Sequence, residues 1–135
     1  MFSRIRTSIS DKDSGFTLIE LLVVMIIIGI LAAIAIPTFL NQRKNGYRSA
    51  LKADLKNAAT AIESAAVDQQ GDFSAVATAG NLVANDVEFT PTDGNTVTTI
   101  SVDATTYCIE AENASLPGEP WKFDKQTGAP VAGNC

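Results

Sequence analysis

Histidine is absent from the 135 residues, and with it goes the side chain most used as a general base and as a transition-metal ligand. No nucleophile elbow, phosphate-binding loop or metal-ligand cluster takes its place. Catalytic residues, cofactors and metals are therefore not expected. Basic residues are few, 10 against 15 acidic ones for a net charge of −5, which argues against a general nucleic-acid binder. Cysteine occurs twice, as Cys108 and Cys135, both in polar sequence beyond a long apolar run. An even count in that position points to one disulfide in an oxidising compartment, with two reduced, buried thiols as the alternative. The bond would tie down an end of the chain that otherwise frays. In the chain-entropy model it is worth roughly 3.6 kcal/mol.

The apolar run itself lacks charge almost entirely. Residues 1–15 carry Arg4, Arg6 and Lys12 against Asp11 and Asp13 and hold no apolar stretch, so they read as a short, slightly basic leader. From Phe16 the text becomes FTLIELLVVMIIIGILAAIAIPTFL, and residues 21–36 contain no polar side chain. As a helix, residues 16–40 extend about 37 Å, enough for a hydrocarbon layer of roughly 30 Å. A secretory signal peptide is the rival reading. Its apolar part is normally shorter and closes on a small-residue cleavage site, which only Ala32, Ala33 and Ala35 could mimic here. Cleavage is better placed before the run than after it.

Beyond Pro37 the helical period continues. Tyr47, Leu51, Leu55, Ala58, Ala59, Ile62, Ala65 and Ala66 fall at steps of three and four, an apolar stripe that faces a core. Alanine, leucine, lysine and glutamate add propensity to pattern. One helix is expected over 16–67, interrupted or kinked near Gly29 and Pro37 and stopped by Gly71. Residues 72–84 read as a loop with room for a helical turn. Strands are expected at 87–90, 96–102, 105–111 and 121–124, with a last one after Gly128; Asp93-Gly94 and Asp103-Ala104 supply turns. The fold class is α+β: a long amino-terminal helix laid on a small antiparallel sheet of three to five strands. The divisions are a leader (1–15), a membrane half-helix (16–40) and an amphipathic helix with a sheet domain (41–135).

Glu20 is the one charge inside the apolar segment. A carboxylate at the centre of a membrane helix costs about 2.5–3.5 kcal/mol on insertion scales, and less near the interface. It could simply lie at headgroup depth. Alternatively, cutting before Phe16 would create an amine with an unperturbed pKa near 8, one turn from Glu20 or on a neighbouring copy. In apolar surroundings the two charges would seek each other.

Gly15, Phe16, Thr17, Leu18, Ile19 and Glu20, followed by Leu21-Leu22-Val23-Val24, resemble the processing and amino-terminal motif of type IV pilins. The resemblance is dense over 15–40 and continues in layout over the rest. It implies that a membrane peptidase cuts after Gly15 and N-methylates Phe16, and that Glu20 pairs with a neighbouring subunit's amine during assembly. Pro37 matches a helix-interrupting proline, and the Cys108–Cys135 span matches the family's disulfide-bounded region. Implied partners are other copies of the chain in a helical homopolymer, the prepilin peptidase and methyltransferase, an assembly platform, minor pilins and, before assembly, membrane lipid; no specific nucleic acid is implied. The subunit would sit in the cytoplasmic membrane with its domain outside, then in an extracellular pilus. A pseudopilin of a secretion or competence apparatus shares the amino-terminal features. A non-polymerising single-pass protein with an extracellular binding domain is the reading from another class.

Charge placement conflicts with that orientation. Arg43, Lys44, Arg48, Lys52 and Lys56 follow the span, and only Arg4, Arg6 and Lys12 precede it, which by the positive-inside rule would put the domain inside the cell. The expected disulfide and the resemblance place it outside. Lys44, Arg48, Lys52 and Lys56 are also spaced by four, a basic stripe that is either a solvated face or a contact for acidic residues such as Asp86, Glu88, Glu110 or Glu112 on an adjacent subunit. Asn113-Ala114-Ser115 fits a glycosylation acceptor pattern, a short signal often matched by chance.

Overall fold

The computed structural model describes residues 15–76 and 89–135. The chain falls into two compact units, Met1–Thr38 and Phe39–Cys135. Helix α1 covers Leu18–Asp68 without a break, with Pro37 inside it. The helix is therefore not interrupted at Gly29 or Pro37. Proline removes one N–H and costs roughly 3 kcal/mol in a helix interior, and glycine about 1 kcal/mol, too little to end a helix that strong formers continue on both sides. The Thr38 hydroxyl also donates to the Ile34 carbonyl at 3.1 Å, beside the missing bond.

The helix stops where Gln70 turns left-handed (φ 61°) ahead of Gly71 (φ 89°). Gly71 N–H reaches back to the Ala66 carbonyl at 2.8 Å and Gln70 N–H to the Val67 carbonyl at 3.3 Å, the paired bonds of a Schellman cap. A short 3-10 turn, η1, follows at Phe73–Ala75, capped by the Asp72 side chain, which accepts from Ser74 N–H.

Among the described residues four strands form one sheet in chain order: β1 Asn95–Val102, β2 Tyr107–Asn113, β3 Trp121–Asp124 and β4 Pro130–Ala132. Every neighbouring pair is antiparallel. The strand expected at 87–90 lies partly outside the described residues, and its described part, Phe89 and Thr90, is not a strand. β2 begins two residues later than expected. The cause is the Asp103 carboxylate, which accepts from the Thr105 N–H, the Thr105 hydroxyl and the Thr106 N–H at 2.8, 3.0 and 2.9 Å and so draws both threonines into the turn.

The core of the second unit lies between α1 and β2. Leu51, Leu55, Ala58, Ala59, Ile62 and Ala66 come from the helix, while Tyr107, Ile109 and Ala111 come from alternate positions of the strand, joined by Phe73, Val76 and Leu116. The three-four period on one side meets the period of two on the other.

Candidate functional site

In the first unit the amino terminus of α1 carries a cap. Gly15, Phe16 and Thr17 are exposed and outside the helix. Thr17 Oγ1 accepts from the Glu20 backbone N–H at 3.3 Å, and the Thr17 carbonyl accepts from Leu21 N–H at 3.3 Å. Threonine with glutamate three residues on is the capping-box pair. In the sequence Thr17 is read as part of the processing motif but not as a cap, although Thr-x-x-Glu ahead of an apolar run is the signal for one. Glu20 stands in the first turn of α1, where the helix dipole favours a carboxylate. Its side chain is exposed and, among the described residues, belongs to no ion pair.

From Phe16 to Leu40 every residue except Ala32 is exposed. The helix is long and apolar enough here to cross a membrane. Its apolar side chains point in all directions, so no polar face is left for water.

In the second unit the basic stripe is partly consumed inside the chain. Arg48 Nε and Nη2 donate to Glu119 Oε2 at 2.9 and 2.7 Å, and Arg48 Nη1 donates to Asn45 Oδ1 at 2.9 Å. Lys52 Nζ lies 4.3 Å from the centre of the Trp121 ring, a cation–π contact. Lys44 and Lys56 remain exposed. Of the acidic residues suggested as inter-subunit acceptors, Asp86 and Glu88 lie outside the described residues. Glu110 accepts from Asn134 Nδ2 at 3.2 Å and Cys135 N–H at 3.1 Å, so it serves its own chain end, and Glu112 is exposed.

Cys108 on β2 and Cys135 are joined by a disulfide, with Cα atoms 6.0 Å apart. Bond and Glu110 together clasp the chain end to the middle of the sheet. A second clasp was not expected from sequence. Asp54, 4% exposed on α1, accepts from Thr92 N–H at 2.9 Å, the Thr92 hydroxyl at 2.8 Å and Asn95 Nδ2 at 2.6 Å. Asn95 Oδ1 accepts in turn from Asn113 Nδ2 at 2.6 Å, and Asn113 Oδ1 from Ser115 N–H at 2.7 Å. Asn113 is thereby buried and bonded through both its amide nitrogen and its amide oxygen, so it is not the exposed acceptor that glycosylation at Asn113-Ala114-Ser115 needs.

Among the described residues three titrating groups are shifted. Burial, helped by Glu63, raises the Tyr107 phenol, whose hydroxyl donates to Glu63 Oε1 at 3.2 Å. Hydrogen bonds from Thr105 and Thr106 lower the Asp103 carboxyl. The Arg43 guanidinium, donating to the Tyr47 hydroxyl, lowers that phenol.

A family model described as the prokaryotic N-terminal methylation motif matches residues 10–36. The type IV major pilin protein PilA of Myxococcus xanthus (strain DK1622) is 42% identical over 88 residues, 64% of this chain and 36% of its own length. The type II secretion system core protein G of Pseudomonas aeruginosa is 40% identical over 52 residues, 38% of this chain and 37% of that protein. The chain thus spans little more than a third of either relative. With the type IV wide pilus major component PilA4 of Thermus thermophilus it shares 36% identity over 107 residues, 79% of this chain and 77% of that one. A match of 107 residues cannot be held by a helix of 51 alone; it takes in the domain as well. With the methylation motif at the head of α1 and a pilus component matched through helix and domain, the chain belongs to the type IV pilin family.

Proposed function

We propose that the chain is a structural subunit of a type IV pilus, cut between Gly15 and Phe16, methylated at Phe16, held in the cytoplasmic membrane by residues 16–40 and then polymerised. The observation that carries this reading is the exposed half-helix, apolar on every side, whose one charge lies a turn from the Gly15-Phe16 junction. Such a helix has two stable surroundings, lipid or a bundle of like helices. Passing from one to the other keeps its apolar surface out of water, so extraction into a filament is not opposed by the hydrophobic effect. The exposed, non-helical junction is in a form that a peptidase can take up, and cleavage leaves an amine that is cationic at neutral pH. Glu20 of one copy pairs with that amine on another, which satisfies both charges in an apolar core. Each copy uses different patches on its neighbours, so growth is open-ended.

In the filament the weak point of α1 is 33–37, because Pro37 offers no N–H to the Ala33 carbonyl. This segment gives up its regular hydrogen bonding on assembly, with Gly29 as the nearest further point of low helix propensity. The domain, 41–135, lies outside the cell, where a disulfide persists. Partners are other copies of the chain, the processing peptidase, an assembly platform and minor pilins.

Electron microscopy of sheared surface filaments, with mass spectrometry of their amino termini, tests the proposal. Methylated Phe16 in filaments that vanish when the coding sequence is deleted is the expected result. Filaments absent from the surface, with secretion lost on deletion, would establish the pseudopilin reading, which the shorter likeness to a secretion-system protein supports.

A further inference from the structure

Two cations stand where α1 leaves its apolar stretch. The run closes at Leu40, Asn41 and Gln42 follow, and Arg43 and Lys44 are the first charges after Glu20. Arg43 is three residues past Leu40, about 4.5 Å along the helix, which is the headgroup layer when Leu40 ends the hydrocarbon layer. Its side chain is already held. Arg43 Nη2 donates to the Tyr47 hydroxyl at 2.7 Å, and the guanidinium lies 5.8 Å from the centre of the Tyr47 ring. Tyr47 itself packs against the core. An arginine fixed in this way has less side-chain freedom left to lose when it binds an anion, and its planar fork suits a phosphate.

Neighbouring cations on the same helix are used differently. Arg48 is paired with Glu119 and Lys52 with Trp121. Among the described residues Arg43 and Lys44 face no paired carboxylate. A tyrosine beside basic residues at the end of a span is the composition of a membrane interface.

We propose that Arg43, Lys44 and Tyr47 form a binding site for the phosphate of an anionic phospholipid headgroup, which fixes the depth of the chain in the membrane before assembly. This rests on reading α1 as membrane-inserted and not on polymerisation. Each cation near an anionic surface contributes about a five-fold gain in binding, so the pair contributes about 25-fold, reduced by salt.

The test is native mass spectrometry of the full chain in neutral detergent micelles, titrated with phosphatidylglycerol or phosphatidylcholine. The natural chain should retain phosphatidylglycerol about 25-fold more tightly, and Arg43→Gln with Lys44→Gln should bring the ratio to within about two-fold of unity. Tyr47→Phe, which frees Arg43 but leaves the charge, should fall between, and Lys44→Gln alone, at an exposed position, guards against misfolding of the double variant. Equal retention of both lipids, or an unchanged ratio in the double variant, overturns the proposal. Displacement of phosphatidylglycerol by equimolar inorganic phosphate would assign the site to the free ion and overturn it too. A chain that stays soluble without detergent would defeat the membrane reading itself, a different failure from insertion without lipid preference.

Discussion

Residues 18–40 and 43–68 share one unbroken helix and draw on similar apolar residues, yet the chain uses them in opposite ways. The first stretch places leucine, isoleucine and valine on every side and leaves all of them exposed. The second buries the apolar residues at positions 51, 55, 58, 59, 62 and 66 to 4% exposure or less, while Val67, off that stripe, stays exposed. Period, more than composition, makes the difference. A three-four stripe selects one orientation against β2, so the chain satisfies it alone. An all-round apolar surface selects none and is satisfied only by something outside the chain. Substitutions in one half should therefore be read in assembly, and in the other half in stability.

The largest effects should come from the charge that breaks the first half. Removing one partner of a buried ion pair costs about 3–5 kcal/mol, so Glu20→Ala should leave a processed, membrane-inserted subunit and almost no sheared filament. Gly15→Val should stop earlier, with the leader still attached by mass spectrometry. The comparison is sharpest for one chemical change made in both halves. Ile62→Ala should destabilise the domain by about 2–5 kcal/mol in urea titration, whereas Ile27→Ala should leave the domain midpoint where it was and lower filament yield. Equal midpoint losses for the two would break the comparison.

Asp54 is the exception inside the buried half, a polar residue where the stripe ought to be apolar. Asp54→Ala leaves Thr92 and Asn95 donors without their acceptor and should cost about 2–3 kcal/mol in the same titration. A smaller loss would mean that water replaces the carboxylate.

Most of this division was legible in the sequence because periods are local. The stripe from Leu51 to Ala66, the strands at 96–102 and 121–124 and the cysteine pair all follow from spacing or count, and the structure places each where the spacing put it. What went unread depends on partners distant in the chain. Nothing near Asp54 announces Thr92 or Asn95, 38 and 41 residues away, and nothing near Arg48 announces Glu119. Asn113 fits an acceptor pattern of three adjacent residues, while its burial is set by Asn95 across the sheet. The start of β2 was missed for a local reason: threonine favours strands, but an aspartate two residues earlier offered Thr105 a competing bond.

Arg48 tests how far the division holds on the domain surface. Its pair with Glu119 is partly exposed, 34% and 39% for the two side chains, so the pair contributes at most about 1 kcal/mol. Arg48→Glu should lower the domain midpoint slightly, and adding Glu119→Arg should restore it by re-forming the pair in reverse. Filament yield should recover together with the midpoint, since the bond is made within one chain. A double variant with a restored midpoint and filaments still missing would mean that the positive charge at position 48 is needed by a neighbouring subunit. The stripe would then serve assembly even though it lies on the half of α1 that the domain buries, and the two halves would no longer divide stability from assembly between them.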